Sequence, residues 1–467
     1  MYVQQLYTSC LSEAAYFIAH NGVAAVIDPL RDIDSYLALA KEHNATIKYI
    51  FETHFHADFV SGHLELSRAT GAEIVYGPQT EAGFDFHMAS DKECFDLGGI
   101  SIQALHTPGH TIESTCYLLN DESGIPYCIF TGDTLFVGDV GRPDLFSGNL
   151  EKEDLAGLLY DSLQTKIKTL PDQVIVYPAH GPGSSCGKNL GPETFSTIGV
   201  QKASNYALAD MSKEAFVKSV TTGLPTAPSY FPLNARINKE GYAPMDAVME
   251  KGLKALSVED FKAAVAAGAW ILDTRDSGIF TEGFVPDSIS IGLDGRYAEW
   301  AGSLLPFDQD LILITMPGKE QESITRLARV GISQVKGYLN GGFEAWKQAN
   351  ERVDLIIDIE ADELAMDIPF DNRLEVMDVR KPAEFDSGHV KGATNLPLSE
   401  MADPLHLAMI DLEHNLYVHC AGGYRSVIAC SLLKRQGFHN LRNVLGGWGK
   451  IKEVRQIPVV DGIKLKA

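Results

Sequence analysis

The chain has 467 residues, a length that suits about three domains of ordinary size. Apolar residues make up 45% and charged residues 22%, which excludes a disordered chain, and 62 acidic against 39 basic residues leave a net charge of −23. So acidic a surface repels phosphate backbones and anionic headgroups, so neither nucleic acid nor a membrane is expected as a partner. The seven cysteines include no CxxC pair, so free thiols in a reducing compartment are expected rather than a disulfide framework. The opening MYVQQLYTSC has neither a basic nor an apolar targeting stretch, and no run approaches the ~18 apolar residues of a membrane span. The expected location is cytoplasmic.

Short apolar runs then alternate with helical patterns. Strands are expected at Ala24–Ile27 and Ile47–Glu52, with a helix at Ile33–His43 between them, capped by Asp32 or Asp34. Further strands are expected at Ile74–Tyr76, Ile100–His106, Thr115–Leu119, Tyr127–Phe130 and Val174–Tyr177, each bounded by Gly, Pro or Asp. This is the pattern of a layered α/β domain. Ligand-type side chains follow the strands. His54, His56 and Asp58 alternate in THFHAD, and His110 lies in HTPGHT, Asp133 in FTGDTLF and His180 in YPAHGPG. Loops at one edge of a sheet bring such residues together, and imidazoles with carboxylates suit zinc, iron or manganese. Arg142, in GDVGRPDLF, either holds a substrate carboxylate or pairs with Asp144 to stiffen its loop. Cys186, in GPGSSCGKN, either faces the site with its thiol or is a small buried residue.

Residues 221–256 contain four prolines and no clear period, as in a linker or wrapping arm. Beyond them the chain repeats with an offset of 105. Leu272-Asp273-Thr274-Arg275 matches Met377-Asp378-Val379-Arg380, Leu311–Ile314 matches Leu416–His419, and Gly341-Gly342 matches Gly446-Gly447. Two tandem domains of about 100 residues are expected. In the second, an apolar strand runs into Cys420-Ala421-Gly422-Gly423-Tyr424-Arg425-Ser426 and then a helix. Backbone N–H groups, the helix dipole and Arg425 would all stabilise a Cys420 thiolate there. In the first, the matching position is Thr315, and Glu320 stands where Arg425 would project, so that loop has no thiol.

Through THFHADFVSGH, HTPGHT, FTGDTLF and YPAHG, residues 1–220 resemble the metallo-β-lactamase superfamily, and within it the persulfide dioxygenase branch. The resemblance implies an αββα fold and one Fe(II) per chain held by His54, His110 and Asp133, a 2-His-1-carboxylate set with open positions for O2 and substrate. His56, Asp58 and His180 would then orient those ligands and line the cavity. Phe59 stands where the superfamily's second metal site has a histidine, which favours one metal over two. Residues 359–467, through MDVRKPAEFDSGHVKGATNLPL, HCAGGYRS and NVLGGW, resemble a rhodanese sulfurtransferase domain with a central parallel sheet. By that resemblance Cys420 carries sulfane sulfur as a persulfide, and Gly422, Gly423, Tyr424 and Arg425 cradle it.

The implied division is 1–220 iron dioxygenase-like, 221–256 arm, 257–350 inactive rhodanese-like and 351–467 active rhodanese. The implied activity is oxidation of a small thiol persulfide, of glutathione or coenzyme A type, by O2 to sulfite and thiol. Sulfur transfer through Cys420 would couple this to thiosulfate, in a homo-oligomer. A zinc thioester hydrolase of the glyoxalase II kind and a sulfur-carrier protein without oxygenase turnover are the alternatives.

Overall fold

The computed structural model describes residues 1–145, 150–407 and 410–462. The expected ranges 1–220 and 351–467 therefore include short stretches (146–149, 408–409 and 463–467) outside the described residues. The chain divides into two units, Met1–Met245 with Ala328–Gly331, and Asp246–Leu327 with Ile332–Ala467.

In the first unit, two six-stranded sheets stack face to face. One runs in the spatial order Tyr2–Thr8, Glu13–His20, Val23–Ile27, Thr46–Phe51, Glu73–Tyr76, His87–Met88. The other runs Ser196–Thr197, Ile175–Pro178, Pro126–Gly132, Thr115–Asn120, Ile100–His106, Cys94–Leu97. Side chains alternate across each strand, so Tyr16 and Ile18 enter the layer between the sheets, with Phe51, Ile102, Tyr117 and Phe130. Ala15, Phe17 and Ala19 turn the other way and pack with Tyr36, Ala40 and Leu66 of helices Asp34–Glu42 and His63–Thr70. On the far side, Leu105, Cys116, Leu118 and Ile129 meet Ala156 and Leu159 of helix Lys152–Ser162. The result is an αββα sandwich whose core lies in three layers.

One expectation changes here. Neither Asp32 nor Asp34 caps the first helix: its N-cap is Ile33, which makes no side-chain capping bond. The 221–256 stretch contains helices Phe231–Glu240 and Met245–Gly252, the first entered through Pro232 in its opening turn, where a proline's missing N–H costs nothing.

The second unit contains the repeat as two five-stranded sheets of the same order: Ala255–Leu256, Val335–Leu339, Leu311–Ile314, Trp270–Asp273, Ile289–Ser290, and then Ile357–Ile359, Leu441–Val444, Asn415–His419, Leu374–Asp378, Thr394–Asn395. All pairings within these two sheets are parallel. The Asp-x-Arg match at offset 105 is a structural brace. Arg275 forks onto Asp273 and Arg380 onto Asp378, and each donates to a carbonyl eight residues on, Gly283 or Gly388. Each guanidinium lies over a ring, Phe343 or Trp448, again 105 apart. Among the described residues no helix is long and apolar enough to cross a membrane.

Candidate metal centre and cysteine loop

Strand Thr46–Phe51 delivers the histidine loop, and Asp28, at the end of the neighbouring strand, fixes its first turn. The backbone N–H and hydroxyl of Thr53 both donate to the Asp28 carboxylate, at 2.8 Å each. Because the hydroxyl proton is committed to Asp28, the 3.0 Å contact between Thr53 Oγ1 and His54 Nδ1 requires the imidazole to donate. His54 Nε2 is therefore the free lone pair, facing inward. The same reasoning applies to two more histidines. His110 Nδ1 donates to the Arg142 carbonyl at 2.8 Å and His180 Nδ1 to the Ser12 carbonyl at 3.2 Å, and a carbonyl can only accept. Three Nε2 lone pairs thus converge on Asp133. One of its oxygens is 3.3 Å from His110 Nε2 and 3.8 Å from His54 Nε2, and the other is 3.4 Å from His180 Nε2. Gly132 makes the close turn into Asp133: its φ is +51°, and a Cβ there would meet Thr53 Oγ1 at 2.5 Å.

Both Asp133 oxygens are fully buried and have no hydrogen-bond partner. A buried carboxylate without donors is costly unless a cation neutralises it. Burial and the neighbouring His56, His110 and His180 hold His54 well below its ordinary pKa, which keeps it neutral and able to ligate. Ligand atoms of His54, His110 and Asp133 lie within 4.8 Å of one another, so the residues present fit a metal ion.

His56, Asp58 and His180 form a second cluster of the same kind, and Asp133, His180 and Cys186 a third. His56 is occupied elsewhere. Its Nε2 lies 3.1 Å from Asp28 and 3.8 Å from Glu52, and the buried Phe59 ring stands 4.3 Å from its own. Burial lowers its pKa, but Asp28, Glu52 and Asp58 outweigh this and raise it to about 10. His63 lies outside all these clusters, 3.3 Å from Glu52, and burial pushes its pKa down to about 3.

Arg142 is 2% exposed, and its guanidinium is taken up by Asp144 through two bonds of 2.6 and 2.7 Å and by the Pro225 carbonyl at 2.6 Å. The fork considered for a substrate carboxylate is thus filled from within the chain, and Arg142 meets the site through its own carbonyl on His110. Cys186 is 1% exposed, faces Asp133 and His180, and has its thiol pKa raised by burial and by Asp58 and Asp133. The sequence reading missed Asp28, Thr53, Glu52 and Glu113, the last accepting from the Phe55 N–H at 3.1 Å.

In the second unit, Cys420 ends strand Asn415–His419 and is 1% exposed. The Gly423 N–H points at its sulfur at 3.1 Å, with Ser426 Oγ at 3.7 Å. Gly447 must be glycine: its φ is +53°, and a Cβ would meet the Cys420 carbonyl at 2.3 Å. The Arg425 guanidinium donates to Glu384 through two bonds of 2.7 and 2.8 Å; Glu384 is a further residue the sequence reading did not single out. Tyr424 reaches the first repeat and donates to the Gly292 carbonyl at 2.8 Å, its ring filling the space where a side chain on Gly295 would be. There the loop Thr315–Glu320 has Glu320 accepting from Thr315 Oγ1 at 3.2 Å and from the Gly318 N–H at 3.3 Å.

Comparison with known proteins agrees with this architecture. The metallo-beta-lactamase superfamily model matches residues 9–180, and the rhodanese-like domain model matches 257–349 and 360–453. A probable hydroxyacylglutathione hydrolase, glo2, of Schizosaccharomyces pombe is 33% identical over 39% of this chain and 68% of its own. The mitochondrial persulfide dioxygenase ETHE1 of Homo sapiens is 32% identical over 42% of this chain and 70% of its own. The crystal structure of a metallo-beta-lactamase from Staphylococcus aureus subsp. aureus COL aligns with a TM-score of 0.65 at 30% identity, over 73% of this chain and 98% of that one. The chain belongs to the metallo-beta-lactamase superfamily through its first domain, which is followed by two rhodanese-like domains.

Proposed function

We propose that the protein oxidises a small thiol persulfide with O2 at a single ferrous ion held by His54, His110 and Asp133, and that Cys420 passes sulfane sulfur to the sulfite formed. The observation that carries this reading is the Asp133 carboxylate, buried without a hydrogen-bond donor and faced by imidazole lone pairs from His54 and His110. The pairing of His56 Nε2 with Asp28 at 3.1 Å and the ring of Phe59 beside it support one metal rather than two. Likeness to a named persulfide dioxygenase supports iron and persulfide chemistry.

The balance is RSSH + O2 + H2O giving RSH, sulfite and two protons. Ferrous iron, when bound, supplies the redox chemistry that activates O2. The chain supplies the rest. Asp28 through Thr53, and the Arg142 carbonyl, hold the two imidazoles in the tautomers that present Nε2. His56, Asp58 and His180 form the buried polar cluster beside the ligands, and Cys186, beside Asp133, is the thiol placed to meet a sulfur substrate. At the second site, attack of sulfite on a Cys420 persulfide forms the S–S bond of thiosulfate and returns the Cys420 thiolate, stabilised by the Gly423 N–H. The thiol carrier is of glutathione or coenzyme A type, and the assembly is a homo-oligomer.

Metal analysis and oxygen uptake test the reading. About one iron per chain with O2 consumed and sulfite formed on adding a low-molecular-weight persulfide is expected. Two zincs with thioester hydrolysis would instead support the hydrolase likeness. Metal or persulfide binding with no O2 uptake would leave a carrier. His110→Ala is expected to lose the iron, and full iron retention would overturn the ligand set.

A further inference from the structure

Helix Phe231–Glu240 lies in the stretch read as an arm, yet Asn234 and Asn238, one turn apart on it, are both 0% exposed. A buried asparagine in a mere linker helix would be a poor choice, because its amide has to find partners away from water. Asn238 directs its amide entirely at the histidine loop. Nδ2 donates to the carbonyls of His56 and Phe59, both at 2.8 Å, and Oδ1 accepts from the Ser61 N–H at 2.9 Å. One side chain thus ties the start of the turn 56–61 to its end. Just past the helix, the Tyr242 hydroxyl donates to the Ser61 carbonyl and accepts from the Leu64 N–H. Ser61 in turn donates through Oγ to Glu52 at 3.0 Å. The loop 53–61 is therefore held at its front by Asp28 and Glu113 and at its back by Asn238 and Tyr242.

We propose that helix 231–240 is a working part of the metal centre, with Asn238 the positioning residue that fixes the 56–61 turn and so steadies the loop that carries His54. The inference rests on the reading that His54, His110 and Asp133 hold that ion. Asn238 touches none of these three and acts through the backbone of the loop that carries His54. Removing its amide leaves two carbonyls and one N–H of that loop without partners. Loss of a partner that orients a metal site lowers metal affinity by about 10–100-fold.

The test titrates the full-length chain with ferrous iron under anaerobic conditions, in competition with a coloured iron chelator, and compares melting temperatures with and without iron. Asn238→Ala removes all three bonds. Asn238→Asp keeps the shape and the acceptor for Ser61 but loses both donors. Tyr242→Phe removes only the outer bonds. The expected result is a dissociation constant raised about tenfold or more by the first two and about threefold by the third, with a smaller iron-induced rise in melting temperature. A purely structural role would lower the melting temperature of both forms equally and leave that rise intact. That outcome, with affinity within about twofold of the unaltered chain, would overturn the inference. If Asn238→Ala does not fold, the other two variants decide by the same readouts. Failure of the unaltered chain to take up one iron would overturn the metal assignment itself, and is seen before any variant is made.

Discussion

The two repeats of the second unit have one scaffold and two different loops. Both have five parallel strands in the same order, both carry the Asp-x-Arg fork under an aromatic ring, and in both a glycine pair turns at positive φ after the sheet's last strand in sequence. The difference lies in what the N–H of one glycine meets. In the second repeat Gly423 points at the Cys420 sulfur; in the first the equivalent Gly318 donates to the Glu320 carboxylate. The anion cradle survives in the first repeat, filled by a carboxylate of the chain itself. Fold and reaction are therefore separable: the scaffold requires the fork and the glycines, and the chemistry requires a thiol and an unoccupied donor.

The largest effect expected is from Cys420→Ser. Sulfur transfer from thiosulfate or to sulfite should fall to background, while O2 uptake with added persulfide continues. If O2 uptake vanished as well, the two units would not divide the work as proposed. A tenfold effect is expected from rebuilding the first loop in that Cys420→Ser background. Thr315→Cys alone should give a thiol that reacts slowly with an alkylating reagent at neutral pH, because the Glu320 carboxylate beside it holds the N–H and repels a thiolate. Adding Glu320→Arg should speed alkylation of the new thiol by about tenfold. Equal rates in the two variants would mean that the cradle is not what separates the repeats.

A smaller effect, of a few fold, is expected where one repeat supports the other. Tyr424 sits in the Cys420 loop but is held by the first repeat, through the Gly292 carbonyl and the space left by Gly295. Burial holds its phenol protonated as a donor, with its pKa well above the ordinary value. Tyr424→Phe loses one bond; Gly295→Ala puts a Cβ 2.3 Å from the ring and should displace it. Both should lower kcat for sulfur transfer about threefold, the net loss of a hydrogen bond of about 0.7 kcal/mol. Unchanged kcat in both would reduce the first repeat to a spacer.

Much of this was legible from residues alone. The strand-end placement of His54, His110, Asp133 and His180 and the 105-residue register carried the site and the repeat. Strand Glu13–His20 escaped because seven of its eight residues are buried, so no alternation of polar and apolar residues marks it. The partners that orient the site escaped for a different reason. Asn238 lies 182 residues beyond His56, and its role exists only once helix 231–240 is packed on the loop. Glu384 was visible in the motif KPAEFD, but nothing in spacing says that it pairs with Arg425.

That Arg425–Glu384 pair provides the smallest and most specific contrast, since the first repeat has Ile279 and Glu320 at the matching positions and cannot form it. The hydrogen bonds from Arg425 hold the Glu384 carboxyl below its ordinary value of 4.5, although burial opposes them. A carboxyl more acidic in the folded chain than in the unfolded one adds stability above its unfolded pKa and loses it as the pH falls through the folded value. The second unit of the unaltered chain should therefore resist urea slightly better than Glu384→Gln at pH 7, by no more than about 1 kcal/mol for a partly exposed pair. The two urea curves should converge below about pH 4, where the carboxyl is protonated and the substitution changes little. Since Arg425 in Glu384→Gln is released from its partner, sulfur transfer at neutral pH distinguishes two roles. A faster reaction would mean that the pair restrains a cation otherwise free to meet the Cys420 persulfide. A slower one would mean that Glu384 aims it.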